Sequence, residues 1–239
     1  MNTPSRAASL IVVVAAFASA AAAAVSCPAN VVDEKGLGRI PLFSALSLAK
    51  TPFAKKWAGV RKELAKEFPS LRFEKPENLH VTLAFMSVNG WDSAKIEAME
   101  KLGLDAPDLS SGPVKMTGTP DLFGPTKNVV ALKVEPVPGE WTKRLMADRD
   151  AMTAAGLRPR DRFDAVFTPH VTLATAPKPD EQRADLVRFE KWLQDHAPKL
   201  GDLKFELNRK IEPHFYLVLG KDEATRFEPL RGVCADAPK

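Results

Sequence analysis

Cysteine is nearly absent from this chain of 239 residues: Cys27 stands near one end and Cys234 near the other. There is no Cys-x-x-Cys, so a thiolate knuckle for a metal is missing. Histidine is also scarce, with four residues and no His-x-His or His-Glu-x-x-His, so a metal site would have to draw its third ligand from elsewhere. No Gly-x-Ser-x-Gly elbow and no glycine-rich phosphate loop occur, which removes the usual marks of a serine hydrolase and of a nucleotide triphosphatase. An excess of either charge is lacking too, since 34 Lys and Arg face 30 Asp and Glu. That balance permits an anionic substrate without indicating a long nucleic-acid track.

Long apolar runs are missing from all but the N-terminus. There Arg6 precedes an uncharged stretch from Leu10 to Val25, rich in Ala and Val and ending in small residues that offer Ala-x-Ala cleavage sites. The stretch falls short of the ~20 residues that span a bilayer comfortably. It predicts a secretory signal peptide over residues 1–24, cleaved near Ala24, with an uncleaved anchor as the competing reading. The remaining residues, 25–239, then form one domain that is secreted or periplasmic, monomeric and without membrane attachment. In an exported protein the pair Cys27 and Cys234 suggests a disulfide tying the two ends together. Lipid attachment at Cys27 competes, although Ala24 stands where a lipobox normally has Leu. Two free thiols are the third reading.

What is present is hydrophobic periodicity. A strand is expected from Ile40 to Leu48, then Thr51-Pro52 as a helix cap with Pro in the first turn, and Phe53, Trp57, Val60, Leu64 and Phe68 at helical spacing. Trp57 reads as core. Ile96, Met99 and Leu102 suggest a short helix after Asn89-Gly90. Strands are expected at Val114 to Phe123 and Asn128 to Val134, joined by Gly124-Pro125-Thr126-Lys127. Pro138 opens a helix carrying Trp141, Leu145 and Met152 and stopped by Gly156, and a third helix carries Leu186, Phe189 and Leu193. Strands near Leu203 to Asn208 and Phe215 to Leu219 close the chain. Arg158, Arg160 and Arg162 alternate with Asp161 and Asp164 in a stretch that reads as a solvated loop of mixed charge.

Within this pattern one pentapeptide occurs twice, as His80-Val81-Thr82-Leu83-Ala84 and His170-Val171-Thr172-Leu173-Ala174. Strict strand alternation places His80, Thr82 and Ala84 on one face, with Val81, Leu83 and Phe85 on the other, and likewise His170, Thr172 and Ala174 opposite Val171 and Leu173. The order strand, helix, His-x-Thr strand, helix, strand pair in the first half is answered by helix, His-x-Thr strand, helix, strand pair in the second. The expected fold is therefore α+β, bilobal and duplicated, with two mostly antiparallel sheets, helices packed outside and the motif strands facing across a central cleft. Two imidazoles in one groove suit paired general base and acid work, since their unperturbed pKa lies near 6.5. Two threonine hydroxyls suit the non-bridging oxygens of a phosphodiester better than a carboxyl ester. His196 and His214 read as structural or surface residues.

These residues resemble the 2H phosphoesterase superfamily, above all its bacterial branch of 2′-5′ RNA ligase-like proteins, also called RNA 2′,3′-cyclic phosphodiesterases. Pro41 to Leu46 is similar to the opening strand of that branch, Pro76 to Phe85 to its first motif and Phe167 to Ala174 to its second. The resemblance implies a bilobal α+β fold with both chain ends in one lobe, which favours the Cys27 to Cys234 bridge. It implies no cofactor, His80 and His170 as acid and base, and Thr82 and Thr172 as phosphate-binding hydroxyls. Which histidine is the base stays open, with a lean to His170. The implied activity is metal-independent opening of a 2′,3′-cyclic phosphate on a nucleotide or short RNA end. A non-catalytic binding module and a 2′-5′ RNA ligase are the alternatives. The chain departs from the pattern at Phe85-Met86-Ser87, where Phe-Leu-Gly is common, and at Thr175, where Arg is common. The missing Arg removes a phosphate contact and points to a smaller substrate than a long RNA end. The export signal is a further departure.

Overall fold

A computed structural model describes residues 39–89, 98, 114–158, 168–207, 213–219 and 225–229. The signal peptide, Cys27, Cys234, and Arg160 and Arg162 lie outside the described residues, and of the short helix expected around Ile96 to Leu102 only Ala98, which is helical, is described. The elements run β1 (Arg39–Ser47), α1 (Pro52–Glu67), β2 (Arg72–Phe73), β3 (His80–Asn89), β4 (Val114–Phe123), β5 (Val129–Glu135), α2 (Gly139–Ala154), β6 (His170–Thr175), α3 (Pro179–His196), β7 (Lys204–Leu207), β8 (Pro213–Leu219) and β9 (Arg226–Pro229). The fold is α+β with two antiparallel sheets, one ordered β3-β1-β8-β9 and the other β2-β6-β5-β4-β7.

The helices form where their punctuation lies. Thr51 caps α1, its hydroxyl accepting from the Ala54 amide at 3.2 Å, and Gly156, at φ 72, follows α2 in a left-handed conformation open to glycine. Phe53, Trp57 and Leu64 of α1 are buried, as are Trp141, Leu145 and Met152 of α2 and Leu186, Phe189 and Leu193 of α3. Burying each large apolar side chain stabilises the fold by roughly 1.5–3 kcal/mol. One core joins both sheets, with Leu46, Val81 and Leu83 of β1 and β3 clustered with Val130, Leu132 and Val171 of β5 and β6; against it Phe53 of α1 meets Phe205 of β7 edge-on at 4.9 Å, and Phe189 of α3 meets Phe73 of β2 at 4.9 Å.

The duplication is real but its frame differs from the expected one. The strands β4 and β5, read as closing the first half, pair into the sheet of the second motif, and the C-terminal strands β8 and β9 return to the sheet of the first. The repeated unit is strand, helix, motif strand: β1-α1-β3 and β5-α2-β6, each motif strand antiparallel to the strand that precedes its helix. Two strands, β2 and β9, were not expected, being only two and four residues long.

The alternation within the motifs also needs correcting. Ser44 pairs with Ala84 and Ala45 with Thr82, so Leu83 has no partner; Val130 pairs with Ala174 and Ala131 with Thr172, so Leu173 has none. Each copy thus carries a β-bulge at its leucine. Beyond the bulge the faces switch. Ala84 and Ala174 are buried rather than facing the cleft, and Phe85, expected in the core, is 55% exposed. Because directly paired residues share a face, Phe85 opposite Phe43 and Thr175 opposite Val129 take up the cleft side with the histidines and threonines. The carbonyls at the bulges are occupied: Leu83 accepts from the Arg149 guanidinium at 2.8 and 3.0 Å, and Leu173 from the Glu74 amide at 2.8 Å.

The arginine loop is a further correction. Arg158 is buried, not solvated, and its Nε donates to the Phe85 carbonyl at 3.3 Å. Among the described residues β3 is an edge strand of its sheet, and Arg149 and Arg158 together hold its backbone.

Candidate active site

The motif strands belong to different sheets yet touch one another. His80 opens β3 and His170 opens β6, so the two imidazoles enter the cleft from equivalent positions. Each ring is fixed in the same way. Nδ1 of His80 lies 2.7 Å from the carbonyl of Asn78, and Nδ1 of His170 lies 3.0 Å from the carbonyl of Thr168, in both cases two residues upstream. A carbonyl can only accept, so each Nδ1 carries the hydrogen and each neutral ring keeps its lone pair on Nε2. In this tautomer Nε2 is ready to take a proton, and once protonated it is ready to give one.

Aromatic rings hold both imidazoles. Phe43 packs on His80 at 4.8 Å between centroids and Phe227 meets it edge-on at 5.0 Å, while Phe123 stacks on His170 at 4.5 Å with 23° between planes. These three phenylalanines were not singled out from the sequence, because they lie outside the motifs: Phe43 and Phe123 read there as ordinary strand residues, and Phe227 falls where no strand was expected. Tyr216 was also missed; it stacks on Phe43 at 5.6 Å, and a hydrogen bond joins its side chain to that of Ser47, the residue paired with His80. Thr82 and Thr172 are half-buried on the cleft face, two residues beyond their histidines.

Burial among these rings lowers the pKa of His80 from 6.5 to about 4; its bond to the Asn78 carbonyl opposes this, and the nearby charge of His170 adds to it. His80 is therefore neutral at pH 7. Folding disfavours its charged form, so between pH 6.5 and about 4 the unfolded chain holds the extra proton, and stability falls as pH drops through that window. We expect His80→Asn to flatten this part of a plot of urea midpoint against pH. A variant curve parallel to that of the parent would show that the ring titrates normally.

His196 does not join the pair. It stacks on Trp192 at 4.2 Å, and its Nδ1 is 2.9 Å from the Trp192 carbonyl, a structural role at the end of α3. His214 is placed only by register, opposite Ala45 on β8.

Between Asn78 and Thr175 lies a polar cavity of about 150 Å³, lined also by Arg72, Glu74, Lys75 and Thr225 among others. Asn78 connects it to His80, since its carbonyl holds the His80 ring while its side-chain amide donates to the Thr225 carbonyl at 3.2 Å. Burial raises the pKa of Glu74, opposed by hydrogen bonds from the Asn78 side chain and the Lys75 amide and by the charges of Arg61 and Lys75.

No family model matches the chain, and no curated protein does. Solved structures do. A structure described as a phosphoesterase is similar with a TM-score of 0.51 and 21% identity, covering 80% of this chain and 95% of the other. E. coli LigT complexed with 3′-AMP is similar with a TM-score of 0.50 and 18% identity, covering 80% of this chain and 95% of LigT. LigT in its apo form gives 0.50 and 19% over 81% and 95%. At these identities the likeness is one of fold, and the chain has the fold of the LigT-like 2H phosphoesterases.

Proposed function

We propose that this chain, folded like the LigT-type 2H phosphoesterases, is a phosphoesterase that opens a 2′,3′-cyclic phosphodiester on a nucleotide or short RNA end without a metal. The observation that carries this reading is the matched pair of imidazoles, each with Nδ1 tied to a carbonyl two residues upstream and a threonine two residues downstream on the same face. The 3′-AMP held by a neighbour in fold supports a nucleotide as the substrate class.

In the proposed reaction His80 is the base and His170 the acid. This reverses the lean drawn from the motifs, because the depressed proton affinity of His80 leaves it neutral in the free protein. His80 Nε2 takes a proton from water as the water oxygen bonds to phosphorus. The bond from phosphorus to one ribose oxygen breaks, and His170 Nε2–H protonates that oxygen, giving a monoester. Thr82 and Thr172 donate to the non-bridging oxygens as charge builds on them. The signal peptide expected at residues 1–24 would put this reaction outside the cytoplasm.

The test is incubation of the purified protein with adenosine 2′,3′-cyclic phosphate, followed by phosphorus NMR, with and without EDTA. Conversion to a monophosphate that EDTA leaves unaffected is expected. Binding without turnover would favour a non-catalytic module, and joining of RNA ends without hydrolysis would favour a ligase. Thr82→Ala and Thr172→Ala should each lower kcat by about 10²- to 10³-fold, in line with the loss of one oriented donor at a developing oxyanion. An unchanged kcat in both would remove the threonines from the site.

A further inference from the structure

We propose that Asn78 is the positioning residue of His80, holding the imidazole through two separate connections. The first is direct: the Asn78 carbonyl lies 2.7 Å from Nδ1 of His80 and fixes the ring with the Nε2 lone pair free. The second runs through a neighbouring strand. The side-chain amide of Asn78 donates to the Thr225 carbonyl at 3.2 Å, and Thr225 leads directly into β9, whose second residue, Phe227, meets the His80 ring edge-on at 5.0 Å. One residue thus sets both the hydrogen-bond partner of the ring and one wall of the apolar box around it. Its effect on turnover rests on the acid-base reading above.

Burial makes Asn78 suited to this task. The residue is 4% exposed, so its amide hydrogens must find acceptors inside the protein. They reach the Thr225 carbonyl and the Glu74 carboxyl. Its backbone amide donates to the Lys75 carbonyl at 2.9 Å, closing the turn over Pro76–Asn78, and the next carbonyl, that of Leu79, accepts from the Leu48 amide at 2.7 Å just past β1. The carbonyl that faces His80 is therefore anchored before it, after it and through its own side chain. The second copy of the motif shows what the asparagine adds. There the residue two before His170 is Thr168, which is exposed, so the duplication repeats the carbonyl without the buried amide. Removing the amide of Asn78 takes a donor from Thr225 and Glu74, lets the start of β9 draw away, and opens the His80 ring to water. Of the titratable groups around that ring, His170 is the charge that reaches it, Tyr216 stands behind Phe43 with its hydroxyl kept neutral by burial, and Glu74 lies on the far side of Asn78.

The experiment follows the imidazole resonances of His80 and His170 by NMR as pH is varied, in the parent protein and in Asn78→Ala. The His80 midpoint, about 4 in the parent, is expected to rise towards 6.5 by about one pH unit or more as water reaches the ring. The His170 midpoint should move by well under half of that. On adenosine 2′,3′-cyclic phosphate kcat should fall about tenfold or more with KM nearly unchanged, because a misplaced base costs geometry while substrate contacts stay. The acid limb of kcat/KM should climb together with the His80 midpoint. An unmoved His80, a His170 that shifts as far, or an unchanged kcat in a protein that hydrolyses the substrate each overturns the proposal; so does a lowered urea midpoint with neither histidine affected, the mark of a merely structural residue. Should the alanine variant not fold, Asn78→Ser takes its place. Its single hydroxyl hydrogen can serve only one of the two acceptors, and the same rise at His80 is required of it. The titration needs no turnover: absence of hydrolysis in the parent protein would end the phosphodiesterase reading, and the His80 midpoint would still decide whether Asn78 holds the ring.

Discussion

Replacing His80 or His170 with alanine will lower kcat on a 2′,3′-cyclic nucleotide by about 10²- to 10⁴-fold each, the range that a positioned general acid or base contributes. The two losses will not add. Once either proton transfer is missing the concerted displacement is lost, so the double variant should fall little further than the worse single one. The two positions also differ in a way that pH exposes. With His80 as the base, the acid limb of kcat/KM reports the free protein and should sit well below 6.5, near the value of about 4 that burial gives this ring. A limb at 6 to 7 that disappears in His170→Ala would instead make His170 the base. Near-normal turnover in either alanine variant, with the fold intact by circular dichroism, would end the acid-base reading altogether.

The second large effect is on stability. Trp57 is fully buried, packs against Phe73 at 6.2 Å and Phe189 at 6.4 Å between centroids, and donates its indole hydrogen to the Glu74 carbonyl. Trp57→Ala should cost about 3–5 kcal/mol from the cavity it leaves. That is a large share of the ~5–15 kcal/mol that holds a typical domain together. Trp57→Phe keeps most of the packing but removes the donor, so it should cost less while still loosening residues 72–75. Urea unfolding of both variants measures this, and a loss below about 1 kcal/mol for the alanine variant would show that the core closes over the gap.

Much of this molecule was legible in its sequence, for identifiable reasons. Helix periodicity located α1, α2 and α3 because large apolar residues recur at helical spacing on their buried sides, and the Thr51-Pro52 cap and Gly156 marked their ends. The repeated pentapeptide pointed to the cleft because polar groups recur there at strand spacing. Besides the bulges and the rings around the histidines, three things escaped. The strands β2 and β9 are too short to carry a period. The pairing of β4 and β5 with the second motif depends on contacts between sheets that no local pattern encodes. Arg158 was taken for a loop charge because nothing in its neighbours announces the Phe85 carbonyl it reaches, far off in the chain.

The bulges at Leu83 and Leu173 bear on how relatives of this chain could be found. A bulged residue has no partner across the ladder, so a homologue could lose it and still pair Phe85 with Phe43, or Thr175 with Val129, in unchanged register. Such a homologue would have one residue fewer between its threonine and the side chain that closes the cleft. A motif written at fixed spacing would pass over it, whereas an alignment allowed a single gap inside the pentapeptide would bring the strands into register.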